Sequence, residues 1–471
     1  MGDINITKYG IFSSKDIYVI VSAEDTGDQT RSGVKRITLY ANGNPVATQE
    51  TQNDQAQFAV TSEEFAGAEL TATVEDVAGN TSQVPVGPKD VAPEQYGSNR
   101  VTISNEAPTL EITPDKAVYQ NADGENWYAG DVNFTVNMAD ANSLRQVEVT
   151  INGQPITQDV QGNDISGRMD QGEEGLVEKT FSINTQQLQE LEGKVTLKVT
   201  VRNAAKVETT QESVVYIDRT PAAFTGFTVE LTNQSPVEKV LNFLSFGLFC
   251  NAEVKVTVSA NDPEPASGVK EITLYGGESV LETQTVTDNQ AVFTLPEDAV
   301  EGEALHFENG LKVMVEDNVG NTFAALPTEI NEEIESNDLM IETVPPTIDV
   351  TCDDPAEGNP ATVDGNDWYQ NDVEFTVQTA DEHAGLYRVQ ISINNTVLVD
   401  DDLHSGDTAV MENTYQVNTK DAQRNEDGSY VLKVVVTDNA GNQSSYSKTI
   451  YKDTDAPRIT GFEFEAENYV E

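Results

Sequence analysis

Apolar residues recur at every second position through most of the chain. Ile17, Val19 and Val21 do so, as do Val132, Phe134 and Val136, then Val147, Val149 and Ile151. Val195, Leu197, Val199 and Val201 repeat the pattern, followed by Leu311, Val313 and Val315, and by Leu432, Val434 and Val436. A period of two gives a strand one face for a core and one for water. Turn signals stand between such runs at Asn42-Gly43, Asn152-Gly153, Asp364-Gly365 and Asp427-Gly428. Several short strands at this spacing predict an all-β chain of antiparallel β-sandwiches. No long amphipathic helix is visible. Thr185–Leu191 reads as a single helical turn between strands.

The pattern is itself repeated, with two kinds of unit alternating as A-B-A-B. Type A carries SGVKRITLY at Ser32–Tyr40 and TVEDVAGNTS at Thr73–Ser82; it returns as SGVKEITLY at Ser267–Tyr275 and MVEDNVGNTF at Met314–Phe323. Type B carries ENWYAGDVNFTV at Glu125–Val136 and returns as NDWYQNDVEFTV at Asn366–Val377. Prolines mark the boundaries at Pro108, Pro221, Pro345-Pro346 and Pro457. Proline holds its neighbour extended and cannot donate to a ladder, which suits a short, stiff connection. The expected division is 1–105 (type A, its first strand missing), 106–219 (type B), 220–344 (type A) and 345–456 (type B). Residues 457–471 then read as the first strand of a further type A unit. Units of this size are those of single sandwich domains, in an elongated array.

Charge narrows the partners. Among 471 residues, 80 are Asp or Glu and 27 are Lys or Arg, for a formal charge of −53. That balance argues against nucleic acid and anionic membranes, which attract basic patches, and makes multivalent cations reasonable ligands. No apolar run is long enough to cross a membrane, and the N-terminal segment lacks the pattern of a signal peptide. Cys250 and Cys352 fall in different units and are expected to be unpaired.

The segment VVVTDNAGNQSSYSKTIYKDTDAP at Val434–Pro457 resembles the end of bacterial Ig-like domains found in tandem in large surface adhesins and secreted multidomain proteins. In that family an Asp-x-x-Gly-Asn turn joins the last two strands, and an Asp-Thr-x-x-Pro linker follows. The turn occurs at Asp76–Asn80, Asp317–Asn321 and Asp438–Asn442; the second unit has VRNAAKVE at Val201–Glu208 instead, without the acidic residue and the glycine. The resemblance implies four tandem Ig-like sandwiches and an extracellular place, on a bacterial surface or secreted. It implies a non-catalytic spacer or stalk, with neighbouring domains of the same chain as partners. Alternatives are a module binding a host glycan or protein through type B, or an accessory region of a secreted polysaccharide-degrading enzyme. It also implies calcium at the domain junctions, which stiffens some adhesins of this type.

The candidate calcium ligands are the turn residues Asp76, Asp317 and Asp438 with the linker residues Asp218, Asp453 and Asp455, since calcium takes six to eight oxygens. The competing reading makes each turn only a turn, its Asp bonding its own backbone. Trp127-Tyr128 and Trp368-Tyr369 are candidate ligand-binding aromatics in type B, against packing at the sandwich end. His306, His383 and His404 have no metal-ligand spacing, and no catalytic constellation is discernible. An isopeptide cross-link would need a buried lysine, yet Lys198 and Lys433 follow core-facing Leu197 and Leu432. The two ends are out of phase by one strand. The first unit opens at KYGIF (Lys8–Phe12), whereas ITGFEFEAE at Ile459–Glu467 matches the element FTGFTVEL that opens the third unit at Phe224–Leu231. This is expected of a stretch cut out of phase from a longer array. The sharper reading is head-to-tail self-association, one copy's tail filling the edge in another's first unit.

Overall fold

Period-two alternation becomes strand at each place the sequence marks it. Phe134 and Val136 lie on the strand Asn133–Ala139, and Val147, Val149 and Ile151 on Leu144–Ile151, all of them buried. The computed structural model describes residues 4–26, 30–232, 241–286, 288–295, 305–307, 310–352, 361–363 and 365–465. Among these residues the chain forms Ig-like sheet pairs around four hydrophobic cores. These are built from residues between Ile4 and Val101–Ile103, Leu110 and Ile217, Ala222 and Ile341, and Ile348 and Ile450. The chain divides into two compact units: Met1–Thr220 with Glu264–Ser267, and Pro221–Pro263 with Gly268–Glu471.

In the first unit, the second core lies between a six-stranded and a three-stranded sheet. The larger runs in the order Tyr119–Gln120, Asn126–Tyr128, Glu208–Ile217, Gly193–Asn203, Leu144–Ile151, Gln154–Ile156; the smaller is Glu178–Asn184, Asn133–Ala139, Thr109–Pro114. The first core has the same larger sheet; among the described residues two strands face it, Ile17–Ser22 and Gln55–Val60. In the second unit the third core has three strands at that place, Ala223–Leu231, Val254–Asn261 and Gln290–Leu295. The fourth core repeats the plan of the second.

Among the described residues the sheets are antiparallel, as expected, with one parallel pairing in each sandwich. Ile11–Ser13 runs parallel to Arg100–Ile103, Asn126–Tyr128 to Glu208–Ile217, Gly247–Cys250 to Leu339–Ile341, and Asn366–Tyr369 to Gln443–Lys452. A chain that enters a sandwich at one end and leaves at the other must run its early and last strands in the same direction. Where these two meet at the sheet edge, they pair in parallel.

The turn chemistry follows the sequence closely. Asn42-Gly43 and Asn152-Gly153 both hold two successive left-handed residues (φ 49° and 77°, 48° and 79°), the geometry that matches strand twist in a two-residue hairpin. At Asp427-Gly428 only the glycine is left-handed; Asp364 lies outside the described residues. The Thr185–Leu191 segment contributes a 3₁₀ turn at Thr185–Gln187, capped by the Asn184 side chain. Among the described residues, no helix is long and apolar enough to cross a membrane. Cys250 and Cys352 are both free thiols.

Candidate metal centre

Within the second unit, three strands end on carboxylates that converge. The strand Ser429–Asp438 finishes at Asp438, Glu374–Ala380 is followed by Asp381, and Leu339–Ile341 is followed by Glu342. All three side chains are buried, with exposures of 0% for Asp438, 4% for Asp381 and 1% for Glu342. One oxygen from each lies within 4.8 Å of the others. Glu342 belongs to the third sandwich: its N–H donates to the Cys250 carbonyl at 2.9 Å. Asp381 and Asp438 belong to the fourth, so the cluster joins consecutive sandwiches. An apolar patch of Phe249, Ala384 and Ala440, with Leu244, Phe246 and Met340 against it, packs beside the same junction.

Each carboxylate is held by backbone donors. Asp438 Oδ1 accepts from the Asn442 N–H at 2.8 Å and its Oδ2 from Asn442 Nδ2 at 2.9 Å, closing the Asp-x-x-Gly-Asn turn. Asp381 Oδ1 accepts from the N–H groups of Gly385 at 2.7 Å and His383 at 3.1 Å. Glu342 Oε2 accepts from the Ala384 N–H at 2.8 Å, while its Oε1 is buried with no hydrogen-bond partner. The neighbouring Asn439 Oδ1 is buried and unpartnered as well. Burial, followed by the nearby charges of Asp381 and Asp438, pushes the Glu342 carboxyl up to about 8. Burial, opposed by the bonds from Asn442 and reinforced by Asp381, pushes Asp438 up to about 7.

Three buried carboxylates repel one another and lose hydration, a cost that only a cation or protons relieve. The donors are all oxygen, with no histidine or cysteine in the cluster, which suits a hard cation such as calcium and does not suit zinc. The three side chains, with the orphaned Oε1 among them, fit a calcium ion.

The corresponding place in the first unit is built differently. Ser104 stands where Glu342 stands, its N–H donating to the Ser13 carbonyl at 2.9 Å as that of Glu342 does to Cys250. Asp140 stands in place of Asp381, and Asn203 in place of Asp438. Asn203 pairs with Leu144 in the sheet as Asp438 pairs with Leu386. Asn203 Nδ2 donates to Asp140 Oδ2 at 2.9 Å and to the Glu106 carbonyl at 2.9 Å. Burial raises the Asp140 carboxyl, and the Asn203 bond opposes it. An amide thus supplies from within the chain the positive end that a cation would supply. Beside it, Phe12, Ala204 and Ala205 repeat the apolar patch. The loop residue Asp170, 0% exposed, accepts from Arg168 Nε at 2.8 Å and Nη2 at 2.7 Å, and from Asn5 Nδ2 at 2.9 Å.

The remaining sequence candidates fall into several groups. Asp76 is half-buried and bonds its own turn through the Asn80 N–H at 2.8 Å and Nδ2 at 2.7 Å; those bonds hold its carboxyl below the usual range. Asp317 is buried, accepts from the N–H groups of Val319, Gly320 and Asn321, and has a carboxylate oxygen within 4.8 Å of one from Asp262. Asp218 is buried and accepts from the Thr220 N–H at 3.2 Å and the Ser267 N–H at 2.8 Å.

Asp453 and Asp455 are exposed, with Asp453 Oδ1 accepting from the Asp455 N–H at 2.9 Å, and they do not join Asp438. Of the linker candidates, Asp453 and Asp455 thus stand apart from the Asp438 turn. The ten-residue strand Gln443–Lys452 separates them, about 33 Å at the rise of an extended chain. The turn faces the linker that enters its sandwich, and the ligand there is Glu342. Sequence reading missed Glu342 and Asp381. The available signal was an acidic residue recurring just past the same strand of each repeat, at Asp25, Asp140, Asp262 and Asp381.

The aromatics of type B sit on the strands that pair in parallel. Trp127 is opposite Tyr216 in register and stacks on it with centroids 5.0 Å apart; Trp368 does the same with Tyr451 at 4.8 Å. Trp127, Tyr128 and Tyr369 are buried, and Trp368 is half-buried. Tyr128 Oη donates to the Asp115 carbonyl at 2.6 Å. Lys198 and Lys433 are exposed, so neither meets the burial that an isopeptide bond needs.

No family model and no curated protein matches the chain. Among solved structures, a tetra-tandem repeat from the extending region of a large adhesion protein is 14% identical, covering 94% of this chain and 97% of that one at a TM-score of 0.31. A Ca²⁺-stabilized adhesin that helps an Antarctic bacterium bind ice is 18% identical, covering 94% and 95% at 0.29. Extracellular cadherin domains 1–4 of protocadherin gamma B7 are 12% identical, covering 88% and 91% at 0.32. Scores this low leave fold and site to be read from the chain's own strand order and carboxylates.

Proposed function

We propose that this chain is a non-catalytic spacer of a bacterial surface or secreted protein, and that a calcium ion held by Glu342, Asp381 and Asp438 stiffens it. On this reading the sandwiches at 1–105, 106–219, 220–344 and 345–456 are successive domains with short linkers, partnered chiefly by their neighbours in the same polypeptide. The observation that carries it is Glu342. Its backbone is tied to one sandwich, its Oε2 is bonded to the next, and its Oε1 is buried without a partner among carboxylates of that next sandwich. A cation there resists bending at the linker, because opening it would break ligand bonds on both sides. Burial of Trp127, Tyr128 and Tyr369 supports packing at the sandwich end over a sugar-binding platform.

Thermal unfolding of the chain in millimolar calcium and in excess chelator tests the reading. Calcium at a hundred times its Kd adds about 2.7 kcal/mol to whatever it binds in the native state, so the calcium curve is expected several degrees higher. Coincident curves would remove calcium from the proposal.

A further inference from the structure

Asn439 buries an amide at a place where sister repeats do without one. It follows Asp438 directly and is 0% exposed. Its counterpart in the second sandwich, after Asn203, is Ala204, also 0% exposed. In the first sandwich Val77 follows the half-buried Asp76 and is 60% exposed. Asparagine returns at Asn318, after Asp317, which is 0% exposed with a carboxylate oxygen of Asp262 within 4.8 Å. Asparagine thus follows the turn aspartate where that aspartate is fully buried. An alanine fills the same buried place without the cost of desolvating a polar group.

Three of the four polar groups of Asn439 are bonded. Its N–H donates to the Gly385 carbonyl at 2.9 Å, its Nδ2 donates to the Ala384 carbonyl at 2.7 Å, and its own carbonyl accepts from Asn242 Nδ2 at 2.6 Å. The fourth, Oδ1, is buried with no partner among the described residues. Turning the amide over gives no relief, because it would set Oδ1 against the Ala384 carbonyl, acceptor against acceptor. The Ala384 N–H donates to Glu342 Oε2 at 2.8 Å, so one residue anchors both Asn439 and Glu342. Each of these two side chains keeps one buried oxygen without a donor, Asn439 Oδ1 and Glu342 Oε1. Buried acceptors left unpaired carry their full desolvation cost, and a hard cation satisfies two of them at once.

We infer, resting on the calcium reading of this centre, that Asn439 Oδ1 is a fourth, neutral oxygen ligand and that it makes the site select calcium over magnesium. Calcium accepts six to eight oxygens in flexible geometry and mixes carboxylates with neutral carbonyls. Magnesium demands shorter bonds in near-ideal octahedral order and keeps several of its waters. Asp438, Asp381 and Glu342 are each held by backbone N–H groups, and Asn439 is held by its three bonds. Oxygens fixed in this way resist closing in on the smaller ion. The fully buried Asn439 side chain also occupies space that a retained water would need. Alanine at this position opens that space, so magnesium gains on calcium.

The test is calorimetric titration of the full chain with calcium chloride and, separately, with magnesium chloride. The chain is taken unaltered and as Glu342→Gln, Asn439→Ala and Asn439→Asp. Binding that Glu342→Gln weakens belongs to this centre. Asn439→Ala installs the residue that the second sandwich carries at the same place. It is expected to weaken calcium there by at least about tenfold, the loss typical of groups that support a metal ligand. Magnesium is weakened less, so the preference for calcium falls. Asn439→Asp keeps the oxygen and loses the Nδ2 donor, and it is expected to retain both calcium binding and the preference. Calcium binding unchanged in Asn439→Ala overturns the inference and leaves the calcium centre standing, as when Oδ1 accepts only from a buried water. Equal losses in the alanine and aspartate variants overturn it too, since Asn439 then acts only through its Nδ2 bond to Ala384. Calcium binding that Glu342→Gln leaves intact overturns the calcium centre itself, and the role of Asn439 with it.

Discussion

Asn203 and Asp438 occupy the same position in successive repeats of one fold, and they solve the same electrostatic problem in opposite ways. Each closes the strand that pairs with Leu144 or Leu386, and each faces a buried aspartate, Asp140 or Asp381. Asn203 donates to its aspartate. Asp438 adds a further negative charge, and Glu342 adds a third where the first unit has Ser104. One junction is complete within the chain, whereas the other is balanced only by protons or a cation.

The first prediction concerns pH. Glu342 and Asp438 have folded values raised to about 8 and about 7, whereas unfolded carboxyls titrate near about 4. Between those limits the folded chain holds more protons than the unfolded chain, so metal-free stability falls as pH rises through this window. Calcium must displace those protons, so its stabilising effect is expected to be larger at the alkaline end than at the acid end of the window. Melting curves with chelator and with calcium at several pH values check this; a calcium shift independent of pH would contradict it.

Charge removal at the same place separates the ion from the fold. Glu342→Gln keeps the size of the side chain and removes one negative charge from a crowded, buried cluster. In chelator the variant is expected to melt at or above the temperature of the unaltered chain, because repulsion is relieved. In calcium it is expected to melt below it, because a ligand is weakened. Asp438→Asn behaves in the same sense. Equal losses with and without calcium would mean that the carboxylates serve packing alone.

The first unit should respond in the reverse way. Asn203→Ala removes the donor to Asp140 and to the Glu106 carbonyl and leaves a buried carboxyl short of a partner, a loss of about 1–3 kcal/mol. Calcium should not change that loss. Calorimetry of the variant with and without chelator measures both quantities.

Much of this was legible in the sequence, and the part that was not has a physical reason. Alternation located the strands because a half-buried strand has to repeat every second residue. Asn42-Gly43 and Asn152-Gly153 announced hairpins because both positions need left-handed backbone. Asn394-Asn395 forms the same turn with φ of 48° and 65° and no glycine, and it escaped notice for that reason. The Asp438 turn is visible as a motif, but the linker carboxylates Asp218, Asp453 and Asp455 that the sequence offers beside such turns do not include Glu342. Motif spacing along the chain does not say which end of a sandwich a turn occupies. Only strand direction does, and it puts Asp438 beside Glu342, almost a hundred positions earlier, with Asp453 a full strand length away.

Cysteine chemistry offers a probe of the third sandwich. Cys250 is 0% exposed, and burial pushes its thiol up to about 12. The thiolate is the reactive form, so the native thiol should be inert toward alkylating reagents. It lies on Gly247–Cys250, the strand that pairs with Leu339–Ile341, and its carbonyl accepts from the Glu342 N–H. Opening of that strand pair is thus required both to expose Cys250 and to release Glu342 from its place. If calcium holds Glu342, it must also slow the labelling of Cys250, since local opening has to break the ligand bond first. Mass spectrometry after timed alkylation, in a Cys352→Ser background, is expected to show slower modification in calcium than in chelator. In Glu342→Gln the difference should largely vanish. Labelling of Cys250 at the same rate in both conditions would show that the junction opens without disturbing this strand, and would place the ion's grip on the fourth sandwich alone.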